Sequence, residues 1–355
     1  MAGKKPYEKN RAIWMAGDGP DSDVVVSSRV RLARNLRGMP FPQQANEEQM
    51  ASVFAQIRAA VEATPSIGPT EILTLQELLP MERQLVVEEH LTSPQHVQNV
   101  ENRAIVLNRD KSVSVMVNEE DHLRIQTILP GFQTDEALRL ASATDDAVEE
   151  TVDYAFDETL GYLCACPTNV GTGLRASVMV HLPALAMVGM VGQVLGAVSK
   201  VGVAVRGAYG EGTEAVGNMF QISNQVTMGR AEDEIVAHLK AVCGQLADSE
   251  RNARKAIMSD ARNQLEDRVW RSYGLLTNAR IVSSDEAVRL ISDVKLGSDL
   301  GIIPGLDPSF FTVLSVDIMP AHVQKFVGKE LAAWERDMYR ATLIRERLET
   351  RKEEQ

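Results

Sequence analysis

The chain has 355 residues, 44% of them hydrophobic and 24% charged, which suits one large globular domain or two and excludes a disordered protein. A formal charge of -12 excludes a general nucleic-acid binder, whose phosphate contacts need a basic footprint, and favours basic partners. Three cysteines, two of them only two residues apart at Cys164 and Cys166, exclude a disulfide scaffold and point to a reducing compartment.

The N-terminus M-A-G-K-K-P-Y lacks the apolar core of a signal peptide. Val24–Leu32 reads as a strand with Val25, Ser27, Arg29 and Arg31 on one face. Residues 46–63 read as a helix: Asn46 can cap it, Glu47 and Glu48 suit its first turn, and Met50, Val53, Phe54 and Ile57 form a stripe. A second helix is expected over Leu75–Leu91. Ala104–Asn108 and Ser112–Val117 make a hairpin turned by R-D-K, Asn118–Thr127 continues extended, and Thr134–Phe156 is helical.

The stretch from Leu160 to Pro183 carries most information. It passes from a turn holding Cys164, Cys166 and Pro167 through Gly171 and Gly173 into a strand. There Leu174, Ala176, Val178, Val180 and Leu182 take one face and Arg175, Ser177, Met179 and His181 the other. Leu182–Val198 is apolar but short for a membrane span, and reads as a buried helix with close-packing glycines. Val203–Gly207 and Phe220–Ser223 are strands around the glycine-rich loop R-G-A-Y-G-E-G-T-E-A-V-G. That loop is long for a plain hairpin and suits a lid carrying Glu211. From about Arg230 helical patterning dominates. The domain boundary falls near residues 230–255, giving a catalytic domain 1–250 and a helical domain 251–355.

Candidate chemistry begins with arginines. Arg29, Arg31, Arg124, Arg175 and Arg206 each sit in or beside a predicted strand, on its polar face. Planar guanidinium groups that converge would clamp a polyanion. No G-x-x-x-x-G-K-[ST] loop is present, so a bound nucleotide would be held by arginines. In N-E-E-D-H-L-R, period two puts Glu120, His122 and Arg124 on one face; a solvated ion pair is the plain alternative. Cys166 is either a buried inert thiol or a thiolate favoured by a cationic clamp. In the last helix, Val327, Leu331, Trp334, Met338, Ala341, Ile344 and Leu348 form an apolar stripe, core or dimer seam, with Arg336 and Arg340 opposite and Asp337 at the flank.

Four ordered stretches, S-S-R-V-R-L-A-R at 27–34, N-E-E-D-H-L-R at 118–124, C-P-T-N-V-G-T-G-L-R-A-S-V at 166–178 and R-G-x-x-G-E at 206–211, together resemble the phosphagen (ATP:guanidino) kinase family. The resemblance is greatest to its bacterial protein-arginine kinase branch. Fewer residues precede the first motif than small-guanidine kinases carry there, and R-D-M-Y-R-A at 336–341 is similar to that branch's phosphoarginine-binding motif.

The resemblance implies an α+β fold, an antiparallel sheet flanked by helices and followed by a smaller all-α C-terminal domain. It implies transfer of the γ-phosphoryl group of ATP, with Mg2+ held by phosphates and water, to arginine side chains of proteins. Glu120 and Glu211 would grip the acceptor guanidinium, with Cys166 against it. Arg29, Arg31, Arg124, Arg175 and Arg206 would hold the phosphates and His90 the adenine. The motif neighbours Ser27, Ser28, Val30, Ala176, Ser177, Val178, Met179, Gly207, Ala208, Tyr209 and Gly210 would complete the ATP site. Arg336, Asp337, Arg340 and Ala341 would bind phosphoarginine. Tyr209 stands where the family often has another arginine, and Met179 where small-guanidine kinases have histidine, which speaks against a small substrate. The implied setting is the cytoplasm, a homodimer or larger oligomer without membrane or nucleic-acid contact. Implied partners are basic protein substrates such as a heat-shock repressor, an activator protein and a AAA+ unfoldase, with substrates marked for degradation under stress. A kinase of free arginine or another small guanidine is the alternative within the class. A non-catalytic phosphoarginine-reading adaptor is the alternative outside it; the presence of both glutamates argues against that adaptor.

Overall fold

A computed structural model describes residues 11–64, 68, 70–207 and 216–353. Among these, ten strands are β1 (Val25–Arg34), β2 (Thr70–Thr74), β3 (Ala104–Asn108), β4 (Val113–Val117), β5 (Leu123–Pro130), β6 (Phe156–Asp157), β7 (Gly161–Tyr162), β8 (Leu174–His181), β9 (Val203–Gly207) and β10 (Met219–Asn224). Eight form one sheet in the order β2-β3-β4-β5-β1-β8-β10-β9, and β6 and β7 pair as a separate ribbon. The pairings β1–β5, β2–β3, β3–β4 and β4–β5 are antiparallel. With the helices beside it and a helical C-terminal region, this is the expected α+β fold.

The chain divides into two compact units. The first comprises the described parts of Met1–Trp14, Ser27–Val178 and Ser223–Lys240. In β1 the even-numbered residues Val30 and Leu32 are fully buried. Register pairs Val30 with Thr127 and Leu32 with Ile125. This face packs on helix α3 (Thr134–Glu149), where Thr127 Oγ1 donates to Ala137 O at 2.7 Å and Ala137 and Ala141 are buried. Helix α1 (Glu47–Glu62) starts as its sequence dictates: Asn46 Oδ1 accepts from Gln49 N, and Gln49 Oε1 accepts from Asn46 N, both at 2.9 Å. This reciprocal cap satisfies two otherwise orphaned amides. The hairpin turns at Arg109–Lys111 as expected. Helix α2 (Pro80–Glu88) is shorter than its apolar pattern, because Pro80 sets its first turn. Strand β2, absent from the sequence reading, adds the sheet's edge.

The second unit comprises Met15–Val26, the described parts of Met179–Ile222, and the described residues of Ala241–Gln355. The apolar run after β8 is not one helix. It breaks into α4 (Pro183–Met187) and α5 (Val191–Ser199), separated at Gly189, whose φ is 73°. The start of α4 is held by the fully buried Glu250, whose carboxylate accepts from Ala184 N and Leu185 N, each at 3.0 Å. A carboxylate there satisfies free amides and the helix dipole together. Arg254 neutralises Glu250 at 2.9 Å and reaches Asp299 at 3.3 Å, while Lys295 meets Asp299 at 2.8 Å. Helix α6 (Glu232–Asp260) runs unbroken through residue 250. It is followed by α7 (Arg262–Asn278), α8 (Ser284–Asp299), α9 (Pro308–Asp317), α10 (Pro320–Val327) and α11 (Ala333–Glu353). No helix among the described residues is long and apolar enough to cross a membrane.

The face expected along the last helix is corrected by the structure. Trp334 and Met338 are 65% and 44% exposed, whereas Arg340 is 1% exposed with Ala341, Ile344 and Leu348 buried beside it. Arg340 donates to Ile318 O at 2.7 Å and Val282 O at 2.9 Å, and it also bonds Asp337. A buried guanidinium needs such partners, and the backbone of two other segments supplies them. Arg336 is occupied separately, on Leu331 O at 2.9 Å. Arg336 and Arg340 therefore do not form a solvated pair.

Candidate active site

The antiparallel register gathers the cationic residues of the first unit. Opposite Arg29 is Ile128, opposite Arg31 is Gln126, and opposite Ala33 is Arg124, so Arg124 shares the face of Arg29 and Arg31. From β8, Ser177 receives Arg29 Nε at 3.4 Å, and Arg175 Nη2 donates to Ser223 Oγ at 3.3 Å. Burial lowers the pKa of Arg29 to about 10, assisted by the charges of Arg175 and Arg124. Burial also holds Arg31 well below the usual guanidinium value, with Arg29, Arg124 and Arg175 adding to the effect and Glu119 opposing it. Arg31 Nε is buried with no hydrogen-bond partner among the described residues. Four arginines crowded on one face repel each other, and a multiply charged anion is the partner that relieves them.

His90 stands beside this face. It occupies the left-handed region at φ 60°, just after α2, and Gln126 Nε2 donates to its carbonyl at 2.9 Å. Its ring lies 5.3 Å from that of Trp14, whose indole N–H donates to Glu89 O at 3.0 Å. Burial, with the charge of Arg29, lowers the His90 pKa to about 4, so the ring is neutral at pH 7. A neutral imidazole, tilted by 56° against Trp14 and beside a cationic face, suits a heteroaromatic base.

The N-E-E-D-H segment is a turn rather than extended chain. Asn118 takes φ 57°, and its amide donates to His122 O at 2.9 Å, so β5 begins only at Leu123. Alternation therefore does not place Glu120 beside Arg124; the turn does. Arg124 bridges two carboxylates, Glu119 at 2.8 Å and the half-exposed Glu120 at 3.0 Å. His122 serves the turn: Nδ1 accepts from Leu36 N at 3.0 Å and Nε2 donates to Pro40 O at 2.8 Å. Asp121, fully buried, accepts from Asn35 Nδ2 and from Ala165 N, both at 2.7 Å.

That second bond joins the Glu120 turn to the Cys166 loop. Cys166 is partly exposed, with Sγ 3.0 Å from Thr168 Oγ1. Cys164 is the inert thiol, buried among carbonyls and with its pKa pushed up to about 12 by burial. The loop closes on β1 through Gly173, whose carbonyl accepts from Ala33 N at 3.0 Å. With φ at 66° and Ala33 O 2.6 Å from where a Cβ would stand, this position demands glycine.

The remaining expected residues fall in several places. Ser27 is on the arginine face. Ser28 and Val30 are on the opposite one, Ser28 Oγ donating to Gly131 O and accepting from Gln133 N, each at 2.9 Å. Ala176 and Val178 are fully buried on the core side of β8, with Ala176 N on Asn224 Oδ1 at 2.8 Å. Met179, Arg206 and Gly207 belong to the second unit. Ala208, Tyr209, Gly210 and Glu211 lie outside the described residues. Sequence reasoning passed over Glu119, which accepts from Ser93 Oγ at 2.5 Å and Glu120 N at 2.9 Å and is 7% exposed. Its proximity to Arg124 and partners hold its carboxyl below the usual range despite burial. The only sequence signal was its place beside Glu120.

Comparison with known proteins defines the class. Residues 52–253 match the model for the ATP:guanido phosphotransferase C-terminal catalytic domain, and the chain belongs to that family. Residues 262–355 match the model for the protein-arginine kinase McsB C-terminal domain. The chain is 55% identical over 338 residues to the protein-arginine kinase of Moorella thermoacetica, covering 94% of this chain and 97% of that one. It is 50% identical over 335 residues to that of Pelotomaculum thermopropionicum, covering 94% of each. Among solved structures, lombricine kinase matches 66% of this chain and 68% of its own, with 26% identity and a TM-score of 0.57. The duplicated taurocyamine kinase of Schistosoma mansoni, with bound transition state analog components, matches 64% of this chain and 33% of its own at 28% identity and the same TM-score.

Proposed function

We propose that this chain is an ATP-dependent kinase of arginine side chains in proteins. One observation carries the reading: a four-arginine face and a neutral His90 share, through Arg124, the turn that presents Glu120. The relatives named protein-arginine kinase, similar over nearly the whole length, favour a protein acceptor. The ATP phosphates lie on Arg29, Arg31, Arg124 and Arg175, with Arg206 as a further contact, and the adenine on His90. Mg2+ travels with the phosphates, held by their oxygens and water.

A guanidinium is a poor nucleophile, protonated and delocalised at neutral pH. Glu120 and Glu211 orient one nitrogen in line with the γ-phosphorus. The N–P bond forms as the bond from phosphorus to the bridging oxygen breaks, ADP leaves, and a carboxylate takes the nitrogen's proton. The protein contributes positioning and neutralisation of charge. Cys166 contributes electrostatically, without a covalent step.

The phosphoarginine reading of residues 336–341 rests on the motif alone, since Arg340 and Ala341 serve packing of the last helix. Cytoplasmic action on basic proteins, marking them for degradation under stress with an activator and a AAA+ unfoldase, is the extension the resemblance suggests. The test is incubation with MgATP and either a basic protein or free arginine, followed by detection of acid-labile phosphate. Phosphoarginine in the protein is expected. Product on free arginine alone would install the small-guanidine reading, and no product on either would leave the adaptor.

A further inference from the structure

The surface beside Cys166 differs in kind from the arginine face. From Leu140 to Leu174 the chain carries seven carboxylates and no lysine or arginine. Six of them are exposed: Asp146, Glu149, Glu150, Asp153, Asp157 and Glu158. Within this acidic stretch the β6–β7 ribbon leaves Phe156 and Leu160 exposed at 49% and 45%, and the loop after β10 leaves Val226 and Met228 exposed at 46% and 47%. Among the described residues, these are four of the five exposed large apolar side chains of the first unit; the other is Leu79.

The two segments are backbone neighbours. Tyr162 N donates to Gly171 O at 2.8 Å, and Gly171, at φ 112°, approaches so closely that an added Cβ would stand 3.0 Å from Met228 Cα. The same loop is tied to the Cys166 turn, since Thr227 Oγ1 donates to Thr168 O at 3.0 Å and Val170 O at 2.8 Å. An apolar ledge with acidic surroundings thus adjoins the loop assigned to the acceptor.

We propose that this ledge docks the polypeptide flanking the acceptor arginine, a basic segment that also carries apolar side chains. The inference rests on the protein-kinase reading above. A free guanidine is too small to reach from Cys166 across the ribbon, whereas a polypeptide gains apolar burial and long-range attraction together. Each exposed charge pair contributes little alone, so the effect comes from the set.

The test uses the full chain and a fluorescently labelled, arginine- and lysine-rich unfolded protein, with binding read by anisotropy. Phe156→Ser with Met228→Ser, and separately Asp153→Lys with Glu158→Lys, should each weaken binding on the order of five-fold or more while leaving the thermal midpoint in place. The charge variant's deficit should shrink as salt rises. Unchanged affinity in both variants, or no measurable binding by the wild type, overturns the ledge. Phosphoarginine formation is scored in parallel. Its absence from the wild type sinks the kinase reading, whereas product formation with unaltered variant affinity sinks only the ledge.

Discussion

Asp121 accepts the amide of Ala165 at 2.7 Å, and this bond registers the turn bearing Glu120 against the loop bearing Cys166. The two loops lie far apart in sequence, and the same carboxylate oxygen also fixes Asn35, the residue just after β1. On the proposed kinase reading, acceptor geometry depends on a buried group that need not touch substrate.

Asp121→Ala should lower kcat about 100-fold, the penalty for ångström-scale misplacement of reacting groups, with KM for ATP changing by about two-fold or less. Asp121→Asn, which keeps one acceptor oxygen, should recover part of the loss. Steady-state kinetics on a basic protein decides it. An unaltered kcat in Asp121→Ala would show that the two loops hold their places independently.

Glu119 should act by positioning Arg124. Its buried carboxylate holds one arm of that guanidinium while Glu120 holds the other. Glu119→Gln removes a charged bond worth about 1.5–3 kcal/mol. It should cut kcat about ten-fold or more, without raising KM for ATP, because it also removes negative charge from a phosphate site. A raised KM with unchanged kcat would assign Glu119 to nucleotide binding instead.

Acid should destabilise the first unit through its neutral histidines. His96 is fully buried, its Nε2 donating to Val117 O at 2.9 Å, and burial lowers its pKa to about 4; His90 is lowered similarly. Above pH 6.5 both are neutral folded or unfolded and contribute nothing to the slope. Below it the unfolded chain takes up the protons first, so stability falls with pH until about 4, by up to about 1.4 kcal/mol per pH unit for His96. Denaturant titrations at pH 7, 6 and 5 measure this. His96→Asn should flatten the decline, and an equally steep decline in that variant would place the acid sensitivity elsewhere.

Some of this molecule was legible residue by residue. Strand alternation placed Arg29, Arg31 and Arg175 on polar faces, and Asn46 announced its helix. Alternation failed at Glu120, because a left-handed Asn118 turns the chain where the pattern continues. It also missed Glu119, since the importance of a buried carboxylate is visible only once Ser93 and Arg124 surround it. In the last helix periodicity defined a stripe but not its depth.

The sequence by itself determined which residue types could serve the chemistry, because period-two alternation, caps and turn glycines act over a few neighbouring residues. Only the tertiary structure decided which of them meet. Arg124 joins Arg31 by strand register, Ala165 reaches Asp121 across a sequence gap of 44 residues, and Arg340 is buried because Ile318 and Val282 offer it carbonyls. Contacts of that range follow from packing of the whole chain, which no local pattern encodes.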